Sequence, residues 1–147
     1  MAVTTPLPGW LKPVNRLVKL LSRTGVPLGT IHVLSVPGRV SGAMRTTPVS
    51  PLTVDGKRYI LSPLPSSDWV LNAQAAGRGL LAAGRKSTPV RLEEVADAAE
   101  KAAVLRAFPT EVPGGVSFFI RVGVVTSGSP DEFEAIAPRC VVFRVVP

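Results

Sequence analysis

The residues best suited to chemistry concentrate in one stretch, Gly38-Arg39-Val40-Ser41-Gly42-Ala43-Met44-Arg45-Thr46-Thr47-Pro48. It lies between two apolar, β-prone runs. It brings two arginines, three hydroxyl side chains and two glycines into eleven residues. Gly38 and Gly42 permit positive φ and close backbone approach, and successive N–H groups in such a loop can form a concave anion nest. Ser41 can donate a hydroxyl hydrogen bond, and Arg39 and Arg45 can each fork on a phosphate or carboxylate. A hydrogen bond to a charged group contributes about 1.5–3 kcal/mol. Three of them outweigh one exposed ion pair, worth about 0–1 kcal/mol. Chemistry alone gives equal standing to an exposed polar hairpin loop. The spacing is neither a Walker loop nor the dinucleotide Gly-x-Gly-x-x-Gly.

Elsewhere the side chains offer little. His32 is the sole histidine and falls in a β-prone run, where a structural or partly exposed role is commoner than that of base or ligand. A His/Cys metal site and a serine-histidine-acid set are therefore not expected. The acidic residues fall mostly in helices or turns, giving no clear pair of carboxylates. Cys140, the one cysteine, excludes an internal disulfide and reads as a buried, inert thiol in the last strand. Gly79, Gly84, Lys86 and Ser87 imitate a phosphate loop, but Arg85 takes the lysine's place and the run follows a helix, so it reads as a solvated basic turn. Hard chemistry is thus expected of a bound cofactor, with the chain supplying binding, orientation and exclusion of water. No catalytic side chain is assigned; solvent can supply a proton.

The elements that position these residues follow from pattern. Residues 1–8 are polar and proline-containing, as in a mobile terminus. Trp10, Leu11, Val14, Leu17, Val18 and Leu21 recur at helical spacing, with Lys12, Arg16, Lys19 and Arg23 between them. This predicts an N-terminal amphipathic helix over 9–24, stopped by Gly25 and Pro27. It either packs on its own domain, the commoner case, or lies on an anionic membrane surface. Residues 28–36 read as a buried strand and 46–54 as a second, whose Pro48 and Pro51 imply an edge or a break in pairing. Asp55-Gly56 is a hairpin turn leading into a strand over 57–62. A helix follows from Ser67 or Asp68 through Ala76, ended by Gly77, with Trp69 and Asn72 on one face. Strands at 78–83 and 89–96 are joined by a loop over 84–88. Asp97 caps a helix to Phe108, and 116–125 is strongly β-prone. Turn chemistry fills 127–138, and a final strand covers 139–146. Several strands with few helices suggest a closed antiparallel barrel.

A chain of 147 residues fits a single domain, 1–147, able to bury its own core. Its net charge of +7 suggests an anionic partner. Nucleic acid is not expected, because the basic residues are scattered, only 5% of residues are aromatic and no module signature is present. An anionic cofactor or a membrane surface fits as well. No apolar run reaches the roughly 18 residues of a membrane span, and charges interrupt the N-terminal apolar residues, unlike a signal peptide. With one cysteine, a reducing cytoplasmic location is expected, with membrane association as the alternative.

Gly38-Arg39-Val40-Ser41-Gly42, followed by Arg45-Thr46-Thr47-Pro48, resembles the signature of the deazaflavin-dependent nitroreductase family, split β-barrel proteins that bind coenzyme F420. Asp55-Gly56 with its strand, then Asp68-Trp69-Val70-Leu71-Asn72-Ala73, then a short strand pair, follow in the family's order. The resemblance runs from about Pro8 to Pro147. It implies a mainly β fold with helices (α+β), a split β-barrel of FMN-binding type. It also implies that Arg39, Ser41 and Arg45, in the loop with Val40 and Gly42, hold the cofactor's phosphate and acidic tail. Thr46, Thr47 and Pro48 would present backbone along the ring. The loop at 63–66, with Pro63 and Ser66, and Trp69 and Asn72 would close the other side. Hydride would then pass from reduced F420 to an apolar acceptor: a quinone, nitro or unsaturated ring compound. Some members act on lipophilic quinones, and split barrels often form homodimers. Two departures stand out: Val40 replaces a second basic residue, and the loop before Trp69 is shorter, with Pro63 and Pro65 and no lysine. An FMN-dependent enzyme of the same barrel type and a non-catalytic cofactor-storage or anion-binding module are the alternatives.

Overall fold

The computed structural model describes residues 32–147. The expected N-terminal helix and the start of the first expected strand lie outside them. Seven strands form one antiparallel sheet: β1 (His32–Pro37), β2 (Met44–Val49), β3 (Leu52–Val54), β4 (Lys57–Ser62), β5 (Arg78–Ala83), β6 (Lys86–Glu94) and β7 (Val141–Val146). Their order is β2-β1-β5-β6-β7-β4-β3. Among the described residues four helices accompany them: α1 (Asp68–Ala76), α2 (Ala98–Glu111), α3 (Val116–Arg121) and α4 (Pro130–Ala135).

The sheet curls, and its two faces pack differently. Leu34, Val36, Leu81, Val90, Ile60 and Phe143 form one buried cluster with Val70 and Ala73 of α1. Val70 and Ala73 lie three apart and so share a helix face. α1 thereby fills the concave side beside β1, β2, β5 and β6. On the opposite face Leu52, Tyr59 and Val142 pack against Val104, Leu105 and Phe108 of α2. Three phenylalanines from different helices meet there: Phe108 and Phe119 centroids are 5.0 Å apart, and Phe119 and Phe133 are 4.9 Å apart. Each fully buried large apolar side chain stabilises the fold by about 1.5–3 kcal/mol. A polar network pins α2 to the sheet. Tyr59 Oη donates to Glu100 Oε2 at 2.6 Å, and Arg144 donates to Glu100 at 2.8 Å and to Glu93 at 3.1 Å.

Among the described residues no ladder joins β2 to β3, so the expected closed barrel is split at that seam. Only Ser50 and Pro51 separate the two strands in sequence. Pro48 on edge strand β2 and Pro51 in the break both lack an N–H, which accounts for the missing pairing. His32 of β1 and Arg58 of β4 nevertheless meet, the guanidinium donating to Nε2 at 3.0 Å. The sheet therefore curls far enough to bring non-adjacent strands together.

Four other expectations change. The single strand over 46–54 is two strands, because of that same break. The loop over 84–88 shrinks to a two-residue turn, Gly84-Arg85: Ala83 pairs Lys86 across it and Gly84 takes φ 60°. The second helix runs on past Phe108 to Glu111, although Pro109 forfeits one bond in its last turn. The β-prone run at 116–125 is not a strand. Pro113–Gly115 forms a 3-10 turn that starts helix α3, and Phe119 is buried among the other phenylalanines. Tertiary packing here overrides β-propensity.

Candidate functional site

The loop between β1 and β2 is set by its own backbone. The Gly38 N–H donates to Ala43 O at 2.8 Å, and the Gly42 N–H to Gly38 O at 2.9 Å. Gly42 takes φ 77°, a value that disfavours any side chain. The Ala43 N–H donates to Ser41 Oγ at 3.2 Å. The Arg39 N–H donates to Asn72 Oδ1 at 3.0 Å. Four N–H groups that could have formed an anion nest are thus already used. Among the described residues the Val40 and Ser41 N–H groups have no acceptor, so an anion here can meet those two together with the side chains.

Those side chains converge. A Cβ built on Gly38 would lie 3.6 Å from both Arg45 Nε and Ser41 Oγ. Arg39 is held from α1: its Nη1 donates to Asn72 Oδ1 at 2.7 Å, and its Nη2 to Asp68 Oδ1 at 3.2 Å. Asn72 is 4% exposed, and its one carbonyl oxygen accepts both from the Arg39 backbone and from its guanidinium. The Arg39 side chain is 36% exposed and that of Asp68 90%. This pair is therefore a surface contact worth about 0–1 kcal/mol, whereas Asn72 is the firmer anchor.

Arg39, Val40, Ser41, Arg45, Thr46 and Thr47 line one side of a cleft of about 620 Å³, and Asp68, Trp69 and Asn72 line the other. A second cleft of about 420 Å³ adjoins it, with Thr47 and Trp69 lining both. The second is mainly apolar: Pro48, Pro63 and Leu64 face Phe108, Phe118 and Gly115. Both volumes fall in the range of small-ligand sites, about 300–1,000 Å³. The Trp69 ring, 6.0 Å from Phe143, ties this shared wall to the sheet. A Cβ on Gly115 would meet Phe108 Cζ at 2.7 Å, so glycine lets the 3-10 turn sit directly on that ring.

Of the residues singled out from sequence, Arg39, Val40, Ser41, Arg45, Thr46, Thr47, Trp69 and Asn72 come together in the polar cleft. Pro48 and Pro63 line the apolar one. Gly42 shapes the loop without lining either cleft. Ser66 lines neither; its neighbour Ser67 does. Ser67 sits at the N-cap of α1 in extended geometry, yet its hydroxyl makes no capping bond and its Oγ is buried without a partner. Sequence reading missed Asp68, Phe108, Gly115 and Phe118 as wall residues. Asp68 had the signal of a first-turn acid near the loop, and the phenylalanines lay in a run assigned to a strand and at a helix end.

Titratable groups of catalytic character lie elsewhere. Burial, then the Arg58 guanidinium, hold the His32 imidazole below its ordinary value of 6.5. Burial pushes the Cys140 thiol up to about 11. No group of three His, Cys, Asp or Glu residues suited to a metal ion occurs among the described residues.

No family model matches the chain, and no curated protein matches it. Solved structures share the fold. An F420-H2 dependent reductase, FDR-A, is 16% identical, with 79% of this chain and 93% of that chain covered and a TM-score of 0.53. A conserved hypothetical protein from Mycobacterium tuberculosis is 13% identical, with 88% and 78% covered and a TM-score of 0.56. A structure described as a domain-swapped dimer is 16% identical, with 90% and 98% covered and a TM-score of 0.54. The fold is a split β-barrel: a curled antiparallel half-barrel of seven strands with helices packed on it.

Proposed function

We propose that the chain is an oxidoreductase that binds coenzyme F420 across the two adjoining clefts and reduces an apolar acceptor. One observation carries the reading: a cleft with two arginines opens, across Thr47 and Trp69, into an apolar one. A ligand with an anionic tail and a flat ring system matches that division. The motif at 38–48 and the FDR-A likeness in fold support it.

In this reading Arg45, Ser41 and the clasped Arg39 hold the tail phosphate. Charge-assisted hydrogen bonds of this kind are about twice as strong as neutral ones. Thr47 and Pro48 on one side and Trp69 on the other bracket the ring. The Ser67 hydroxyl is available to a polar edge of the ring, since no group among the described residues engages it. The reduced deazaflavin supplies a hydride when bound. Phe108, Phe118 and Leu64 exclude water and offer an apolar wall to the acceptor. No side chain of the site is assigned as proton donor.

Fluorescence titration of the purified protein with F420, and with FMN in parallel, tests the reading. Tight F420 binding that weakens in Arg39→Ala and Arg45→Ala supports it. Preference for FMN would keep the site and change the cofactor. Binding of neither would overturn it and leave a non-catalytic anion-binding module.

A further inference from the structure

The curled sheet has another open end. β1 begins at His32 and runs toward the polar cleft, and β4 begins at Lys57 and runs toward Pro63 and Leu64 of the apolar one. Their first residues, with the turns Asp55-Gly56 and Gly84-Arg85, lie at the end away from both clefts. A further cleft of about 370 Å³ opens there, within the range of small-ligand sites. Its lining shares no residue with the other two. Val90 and Val145, part of the core cluster on which α1 packs, give it an apolar wall, and Thr88 adds a hydroxyl.

Lys57, Arg58 and Arg144 line the same cleft. Arg144 is already engaged, pairing with Glu93 at 3.1 Å and with Glu100 at 2.8 Å. Lys57 and Arg58 form no ion pair among the described residues, although Lys57 lies within the field of Glu100. Arg58 donates instead to His32 Nε2 at 3.0 Å and helps to keep that imidazole neutral. A neutral ring gives a guanidinium one lone pair and no countercharge. Lys86 stands two residues before Thr88, on the same face of β6, with Arg85 in the turn. In residues 55–58 and 84–88 the one acid is Asp55, exposed in its turn. A single cation on open surface is satisfied by water, but cations of one sign around an apolar cleft focus their field into it.

We propose that this cleft binds a small arylcarboxylate. The carboxylate takes the Arg58 guanidinium as a fork, with the Lys57 ammonium beside it. The ring rests on Val90 and Val145, which a bare inorganic anion would leave uncovered. A nucleic acid strand fits less well, because the lining holds no aromatic side chain on which a base could stack. Arg58 and His32 touch, so an anion on Arg58 is felt at the sole histidine of the chain. The site needs neither coenzyme F420 nor any residue assigned to it, and the proposal stands apart from the cofactor reading.

Nuclear magnetic resonance titration of the nitrogen-labelled full chain with naphthoate, and with acetate at equal ionic strength as control, tests it. Naphthoate is expected to shift the Gly56 and Thr88 amides and the His32 ring signals in a saturable way, and acetate to leave them in place. Two variants accompany wild type, each checked for folding by circular dichroism melting. Lys57→Glu, an exposed change away from the Arg58–His32 contact, should weaken naphthoate about tenfold. Thr88→Trp should fill the cleft and abolish binding while leaving both cations present. Equal affinity in wild type and both variants would overturn the proposal, as would no response at all. Equal shifts with acetate would show screening of surface charge and no site. Shifts confined to Gly114 and Gly115 would put naphthoate in the apolar cleft instead, and would overturn it too.

Discussion

Asn72→Ala removes an oxygen that accepts two hydrogen bonds from one arginine, at 3.0 Å from the backbone N–H and at 2.7 Å from Nη1. A neutral hydrogen bond contributes about 0.5–1.5 kcal/mol and one to a charged group about 1.5–3 kcal/mol. Arg39 is half-exposed, so water replaces part of the loss and the low ends apply, about 2 kcal/mol together. For a domain of this size that lowers Tm by roughly 6 °C. The guanidinium survives but must be ordered by the ligand, which costs about 0.5–1.5 kcal/mol. Affinity for an anionic ligand should therefore fall about two- to tenfold. Arg39→Ala, which deletes the charged contact itself, should cost about ten- to 150-fold. Asn72→Asp separates the roles further. Its carboxylate can accept both bonds and preserve stability, while its charge opposes an anion in the cleft. Thermal melts and ligand titrations of the three variants provide the test. A melt for Asn72→Ala within a degree of wild type would refute the clasp. So would an affinity loss equal to that of Arg39→Ala, because Asn72 would then be touching the ligand directly.

Other expectations follow from the same structure. Gly79→Ala would place a Cβ 2.6 Å from the Ser35 backbone oxygen and 2.9 Å from Val36 Cγ1; overpacking of this kind costs about 1–3 kcal/mol, seen as a lower denaturant midpoint. Gly115→Ala should displace the Phe108 ring and narrow the apolar cleft, so an apolar dye bound there by wild type should bind more weakly. The His32 pKa is lowered on folding, so the unfolded chain takes up the proton first as pH falls. Stability should thus be full above about pH 6.5 and decline below it, and His32→Gln should flatten that decline in melts from pH 7.5 to 5. Cys140, buried and raised to about 11, should resist a thiol reagent at pH 8 until denaturant is added.

Local rules read much of this chain well. Asp55 and Gly56 take φ 51° and 75°, as their hairpin required, and Gly77 ends α1 in the left-handed region. Asp97 caps α2, accepting from the Glu100 N–H at 2.8 Å. In each case the residue type selects a backbone state without help from distant contacts. The failures occur where distant contacts decide. Val116, Phe118 and Ile120 favour a strand by propensity, but Phe119 has ring partners on α2 and α4, which sequence order does not reveal. The spacing of Val116 and Phe119 offered a helical signal that the β-branched run concealed. The loop at 38–43 was legible as polar and glycine-hinged. That Asn72 would occupy its Arg39 N–H was not, because 33 residues separate the two.

The open seam has a consequence for how the molecule breathes. Among the described residues β5, β6 and β7 are bonded on both sides, whereas β2 and β3 have a partner on one side. Amide exchange should therefore be slowest in the central strands and fastest at the seam, as local opening follows bonding and packing. β2, through Thr46, Thr47 and Pro48, also builds the wall shared by the clefts. The binding wall is thus drawn from the least protected part of the sheet. Ligands of different thickness can spread it while the central strands stay closed, and a bound ligand should slow exchange first at β2.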